Sequence, residues 1–177
     1  MKVWIAVLAL LFAGCATGPA PRSAPARYDF GAITGSGDAP VEVRAPAWIA
    51  SDAMQYRRAE DSARRQAFAE SRWVAPPAEL LAAALRRQLP GSGTCRLQLE
   101  LDEFVQSFAA DGQSKALLAL RANVRSARGE SVAARTFSLE QPAGRDARAG
   151  VAAFAILQQR LAGELGEWAA QAAARCR

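Results

Sequence analysis

The chain has 177 residues, about half of them apolar, and a formal net charge of +5, which suits one domain with a core of its own. All 22 basic residues except Lys2 and Lys115 are arginine, scattered in pairs such as Arg57-Arg58, Arg64-Arg65 and Arg86-Arg87 rather than clustered as nucleic-acid binding requires. There is no histidine, so no Ser-His or Cys-His pair can be built and the commonest metal ligand is missing.

At the N-terminus Lys2 precedes an unbroken apolar run, Val3 to Phe12, and the small pair Ala13-Gly14 leads into Cys15. This is the pattern of a secretory signal with a small-residue cleavage site. As a helix the run would reach about 15 Å, half the roughly 30 Å of a bilayer core, too short for a spanning anchor. Phe12-Ala13-Gly14-Cys15 resembles the lipobox that lipoprotein signal peptidase reads, with Phe12 where Leu is usual. The resemblance implies diacylation of the Cys15 thiol, removal of residues 1–14, and a third acyl chain on the new amine. At about 0.8 kcal/mol per buried methylene, two or three palmitate-like chains anchor stably where one does not. Residues 15–26 are small and proline-rich, an extended tether rather than a packed segment. Ala16, where an aspartate would resemble inner-membrane retention, resembles the pattern of outer-membrane sorting. On an exported domain the scattered arginines fit a solvated surface, or an attraction to anionic headgroups or an acidic partner.

A single domain is expected over residues 27–177. Tyr28 to Gly31 reads as a first strand, Thr34 to Asp38 as a turn, and Val41 to Ala45 as a strand by its alternation. Met54 to Arg57 and Phe68 to Trp73 are two more strands, separated by the polar stretch Ala59 to Gln66. Pro76-Pro77-Ala78-Glu79 starts a helix, with proline in the first turn and an acid complementing the dipole. Leu80, Leu81, Ala84 and Leu85 form its stripe, and Pro90 to Gly93 stops it. Three strands follow in a meander: Cys95 to Phe108, Lys115 to Arg125 and Val132 to Gln141, joined by turns at Asp111-Gly112 and Arg128-Gly129. The apolar parity of the first changes between Leu101 and Phe104, which predicts a bulge at Asp102-Glu103. Pro142 to Arg145 ends the last strand. From Asp146 to about Ala174 a long helix turns Val151, Phe154, Leu157, Leu161, Leu165 and Trp168 inward. The expected fold is an α+β two-layer sandwich, a mainly antiparallel or mixed sheet with two helices on one face.

Cys95 shares parity with Leu97, Leu99 and Leu101, and Cys176 continues the inward stripe of the last helix. In the oxidising compartment implied by the signal, these two are expected to form a disulfide, closing a loop of about 80 residues. The alternative is a pair of free thiols. Acid–base work would fall to Glu100, Asp102 and Glu103, whose alternation with leucines places them on a solvent face. No catalytic constellation, nucleotide fingerprint or cofactor motif is present, so no enzyme and no cofactor are expected. Trp48, Met54, Tyr56 and Trp73 lie near strand ends and loops, and such residues are enriched at interfaces as well as in cores.

Tyr28-Asp29-Phe30-Gly31, Ala45-Pro46-Ala47-Trp48-Ile49, Ala53 to Arg57, Phe68 to Trp73 with Pro76 to Leu81, and Leu99 to Phe108 occur in an order that resembles the ABC-type transport auxiliary lipoprotein family. The stretch Ala59 to Gln66 departs from it, being more polar. The resemblance implies a non-catalytic part of a lipid-trafficking system. Its partners would be an inner-membrane permease, a cytoplasmic ATPase and a periplasmic protein with mammalian-cell-entry (MCE) domains, which the lipoprotein would dock at the outer membrane. A homo-oligomer is compatible with that role. A structural or assembly lipoprotein binding lipopolysaccharide, peptidoglycan or an outer-membrane protein is the alternative.

Overall fold

In the computed structural model, which describes residues 23–91 and 95–176, seven strands form one mixed sheet and two helices cover one of its faces. Residues 1–22, with Cys15 and most of the tether, lie outside the described residues. The strands are β1 (Ala26–Tyr28), β2 (Val41–Arg44), β3 (Ala53–Arg58), β4 (Asp61–Trp73), β5 (Arg96–Phe108), β6 (Ser114–Arg125) and β7 (Ser131–Ala143). The helices are α1 (Pro77–Gln88) and α2 (Ala147–Ala173). This is the α+β sandwich expected from the sequence.

The meander β5-β6-β7 is the spine of the sheet and pairs antiparallel along nearly its whole length. Two strands share the other edge of β5, both parallel to it: β2 opposite Leu97–Glu100 and β3 opposite Gln106–Phe108. β4 runs antiparallel to β3, and β1 parallel to the end of β4. The register of β5 on β6 shifts between Leu101 and Glu103, leaving Asp102 as the extra residue. That bulge lets Leu97, Leu99 and Leu101 and then Phe104 all face the helices, so the parity change in the sequence is resolved as expected. At the β5–β6 turn Gly112 takes φ +79°, and Ala109 N–H donates to Gln113 O (2.8 Å). A residue with a Cβ would be strained at that backbone angle.

Three boundaries differ from the sequence reading. The first strand is Ala26–Tyr28, because Asp29 caps the next turn instead: Gly31 N–H donates to Asp29 Oδ1 (2.7 Å), and Phe30 turns into the core. The polar stretch after Arg58 is not a connection but the first half of β4, which extends from Asp61. β7 continues through Pro142 to Ala143. Pro142 is tolerated because β7 is an edge strand with no second neighbour for its missing N–H.

Each helix closes by a local rule. Pro77 enters α1 without needing a donor, and Arg86 and Arg87 sit in its last turn, where they complement the dipole. Asp146 caps α2, its Oδ1 accepting from Ala149 N–H (2.7 Å). The core runs the length of the sheet. Trp73, Phe30, Phe104 and Phe154 pack together near its middle, with Phe104 stacked on Phe154 at 4.0 Å between centroids. Leu157, Leu161 and Leu165 continue it against Leu118 and Leu120. The two helices also meet through a polar contact, Gln158 Nε2 to Gln88 Oε1.

At the start of α2 a buried glutamine fixes the chain. Gln106 Nε2 donates to Ser114 Oγ (2.8 Å) and Gly144 O (2.9 Å), and Ser114 Oγ donates to Gly144 O (2.7 Å). Gly150 lies so close above this amide that an added Cβ would collide with Gln106 Oε1. Gly150→Ala is therefore expected to destabilise the fold by about 1–3 kcal/mol, read as a lower urea midpoint with an unchanged slope.

The sandwich has two poles. The hairpin pole carries the β3–β4 and β5–β6 turns and the start of α2. The disulfide pole carries the ends of both helices, the start of β5 and the β6–β7 turn. There Cys95 and Cys176 are bonded, with Cα atoms 6.0 Å apart and a separation of 81 positions in sequence.

Candidate docking surface

The face of the sheet that carries no helix is covered by arginine–carboxylate pairs. Strand alternation puts Glu100 and Asp102 of β5 and Arg121 of β6 on this side, with Arg121 directly opposite Glu100 in register. Arg121 holds Asp102 with both arms, Nε to Oδ2 at 3.0 Å and Nη2 to Oδ1 at 2.9 Å, and reaches Glu100 Oε2 at 2.9 Å. Hydrogen bonding to Asp102, with the charges of Asp102 and Glu100, pushes the pKa of Arg121 up. Glu103 bridges two strands, Oε1 to Arg65 Nη2 (2.7 Å) and Oε2 to Arg57 Nη1 (3.3 Å). On β2, Glu42 accepts from Arg44 (2.8 Å), and that bond holds its carboxyl below the usual range. The exposed pairs of Arg121 and Glu42 contribute little each, so their effect is on surface character rather than stability.

Trp48 stands at the margin of this face. Residues 45–52 form the connection between β2 and β3, and Ile49 turns into the core while Trp48 is 56% exposed. Trp48 O accepts from Gln55 Nε2, and Gln55 Oε1 accepts from Arg65 (3.3 Å), which ties the loop to the Glu103 cluster. Arg44, Pro46, Trp48, Glu100, Asp102 and Arg121 border a shallow depression of about 280 Å³. The indole is thus a large apolar group left exposed beside a fixed set of charges, and exposed aromatics are enriched at interfaces.

The other three aromatic and methionine candidates go elsewhere. Met54 (3% exposed) and Trp73 (1% exposed) are in the core, which removes them from any surface. Tyr56 is half-buried on the helix side at the hairpin pole. It packs on Phe68 (4.7 Å between centroids) and Phe108 (5.8 Å), donates to Gln66 Oε1 (3.0 Å), and lies under the Arg58 guanidinium. It does not join Trp48. Glu100, Asp102 and Glu103 are on the side of the sheet away from the helices, and each is in an ion pair with a guanidinium. The arginines that organise this face were not singled out from the sequence, although Arg57, Arg65 and Arg121 all fall at outward positions of their strands. Among the described residues no cluster of His, Cys, Asp or Glu is arranged to hold a metal ion, and no helix is long and apolar enough to cross a membrane.

Residues 41–166 match the family model described as the ABC-type transport auxiliary lipoprotein component. The chain belongs to this family. No curated protein matches it. Among solved structures, protein XCC0632 from Xanthomonas campestris superposes with a TM-score of 0.65 at 20% identity, covering 85% of this chain and 95% of that one. A second, an uncharacterized protein, gives a TM-score of 0.61 at 13% identity over 82% and 99%. At these identities the likeness is one of fold. The auxiliary lipoprotein from β2 to α2 thus spans every element that builds the depression beside Trp48.

Proposed function

We propose that this auxiliary lipoprotein is a non-catalytic, lipid-anchored component of an ABC lipid-transport system, docking a periplasmic MCE-domain protein at the outer membrane. Membership of the auxiliary family supports the transport role. Acylation of Cys15 would supply the anchor, and Ala16 after it supports the outer membrane. The observation that carries the docking reading is the exposed Trp48 beside the Arg121–Asp102 pair, on the one broad face of the sheet that no helix covers. Such a face offers a flat, charged rim and a single large apolar anchor. It offers no enclosed pocket with a nucleophile and a base.

Crosslinking the acylated protein in membranes, followed by its purification, is expected to recover an MCE-domain protein. Trp48→Ala is expected to cost about 2 kcal/mol of binding, roughly thirtyfold in affinity, with unchanged folding. Recovery of a peptidoglycan fragment or an outer-membrane barrel and no MCE-domain protein would assign the chain to envelope assembly instead.

A further inference from the structure

Three large apolar side chains are exposed among the described residues: Trp48, Val74 and Ile156. Trp48 borders the docking face. Ile156 lies one turn before Arg160, whose Nη1 donates to Glu140 O on β7 (3.0 Å). β7 is the edge of the sheet opposite β1, five strand spacings or roughly 24 Å away. Val74 is at the β1 edge itself, because its N–H donates to Tyr28 O (2.8 Å).

Val74 does not stand alone. At the turn after β1, Gly31 takes φ +77° and its N–H donates to Asp29 Oδ1, which sends Phe30 into the core. Ala32 and Ile33 then border a depression of about 450 Å³ with Val74 and α1. On α1, Leu80, Ala83 and Arg87 line it at helical spacing, so its rim is an outer stripe of the helix. The only charged residues in the lining are Asp29 and Arg87, which cancel. An exposed apolar patch of this kind marks a contact with a protein or a membrane.

The position of the anchor favours the membrane. Cys15 is 11 positions before Ala26, so lipid on it stays within about 40 Å of β1 even at full extension. Val74 is three residues past Ser71, the register partner of Ala26, about 10 Å along the strand. Of the three exposed apolar side chains it is the one at the edge where the anchored chain enters. α1 also lies on the helix-covered side of the sheet, away from the arginine–carboxylate face. A domain resting on lipid by this patch keeps the docking face turned to the periplasm.

We propose that Val74, Ile33, Leu80 and Ala83 form the surface on which the anchored domain rests against the lipid bilayer, with Val74 dipping into the interface. The inference rests on the reading of Cys15 as the anchor. Because the lining carries no net charge, the contact is apolar in origin and indifferent to salt and to headgroup charge.

The test imposes the anchor chemically. With Cys95 and Cys176 bonded to each other, Cys15 of the full mature chain is coupled to a maleimide lipid in phosphatidylcholine vesicles. A photoreactive benzophenone amino acid is placed in turn at Ala32, Trp48, Val74, Ala83 and Arg135, all exposed. Irradiation is expected to give about fivefold more lipid adduct from positions 32, 74 and 83 than from 48 and 135. The ratio should hold in about 0.5 M salt and when phosphatidylglycerol replaces part of the phosphatidylcholine. Val74→Glu combined with Ala83→Glu is expected to cut the adduct at position 32 about fivefold, with an unchanged circular-dichroism spectrum. Equal adducts at all five positions would mean a domain that tumbles freely on its tether and would overturn the proposal. So would a preference for position 48 or 135, adducts that require phosphatidylglycerol or vanish in salt, or an adduct at position 32 that the double variant leaves unchanged. Palmitate labelling in cells tests acylation of Cys15 separately, so failure of the anchor and failure of the resting surface are told apart.

Discussion

Replacing Cys95 and Cys176 by alanine is expected to lower the free energy of unfolding by about 4–5 kcal/mol. Closing a loop of 81 residues removes that much freedom from the unfolded chain on the chain-entropy estimate. The bond also ties the segment just past the end of α2 to the residue that precedes β5, so its loss frees the C-terminal end of the helix. For a domain of this size the shift corresponds to roughly 10–15 °C in Tm. Urea unfolding of the double variant, and of the native chain with and without reductant, gives the measurement. A loss below about 1 kcal/mol would mean that packing between Leu161, Leu165 and the sheet already restrains the unfolded chain or the helix end enough to make the cross-link redundant.

The second large effect concerns Cys15, outside the described residues. Cys15→Ser is expected to abolish acylation, leave the polypeptide soluble in the periplasm, and eliminate function in cells. The purified domain should keep its circular-dichroism spectrum and its unfolding midpoint. The separation follows from placement: among the described residues the first element begins at Ala26, and residues 23–26 ahead of and at that point are exposed. Radiolabelled palmitate incorporation, membrane fractionation and a complementation assay would together check it. A fully active, unacylated Cys15→Ser protein would overturn the anchoring reading.

Much of the architecture was readable because most elements bury one face. Alternation marked β5 and β6, the 3.6-residue stripe marked both helices, and Gly112 and Gly129 marked the two turns. The bulge at Asp102 was visible because a buried strand cannot change parity without an extra residue. What escaped had no such imprint. Asp61 to Gln66 carries no apolar alternation because neither side of that half of β4 is covered, so its sequence resembles a loop. The continuation of β7 past Pro142 depends on β7 being an edge, a property of the assembled sheet rather than of the segment. That β2 and β3 share one edge of β5 is likewise a matter of long-range pairing.

The candidate surface was less legible for a related reason. Trp48 and Trp73 are the same residue type, each close to a proline, yet one is exposed and the other is at the centre of the core. Trp73 falls at an inward position of a strand, where periodicity has meaning. Trp48 lies in a connection, where it has none.

The short strand β1 has a mechanical consequence. In an anchored chain, any tug between membrane and domain enters the fold at Ala26. Because β1 lies parallel to the end of β4, a pull along its axis loads its hydrogen bonds together, in shear, instead of peeling them one at a time. Val74 N–H, donating to Tyr28 O at 2.8 Å, and the buried ring of Phe30 just behind act as the cleat. Three residues of strand thus let the domain be towed by its leash without unravelling from that end.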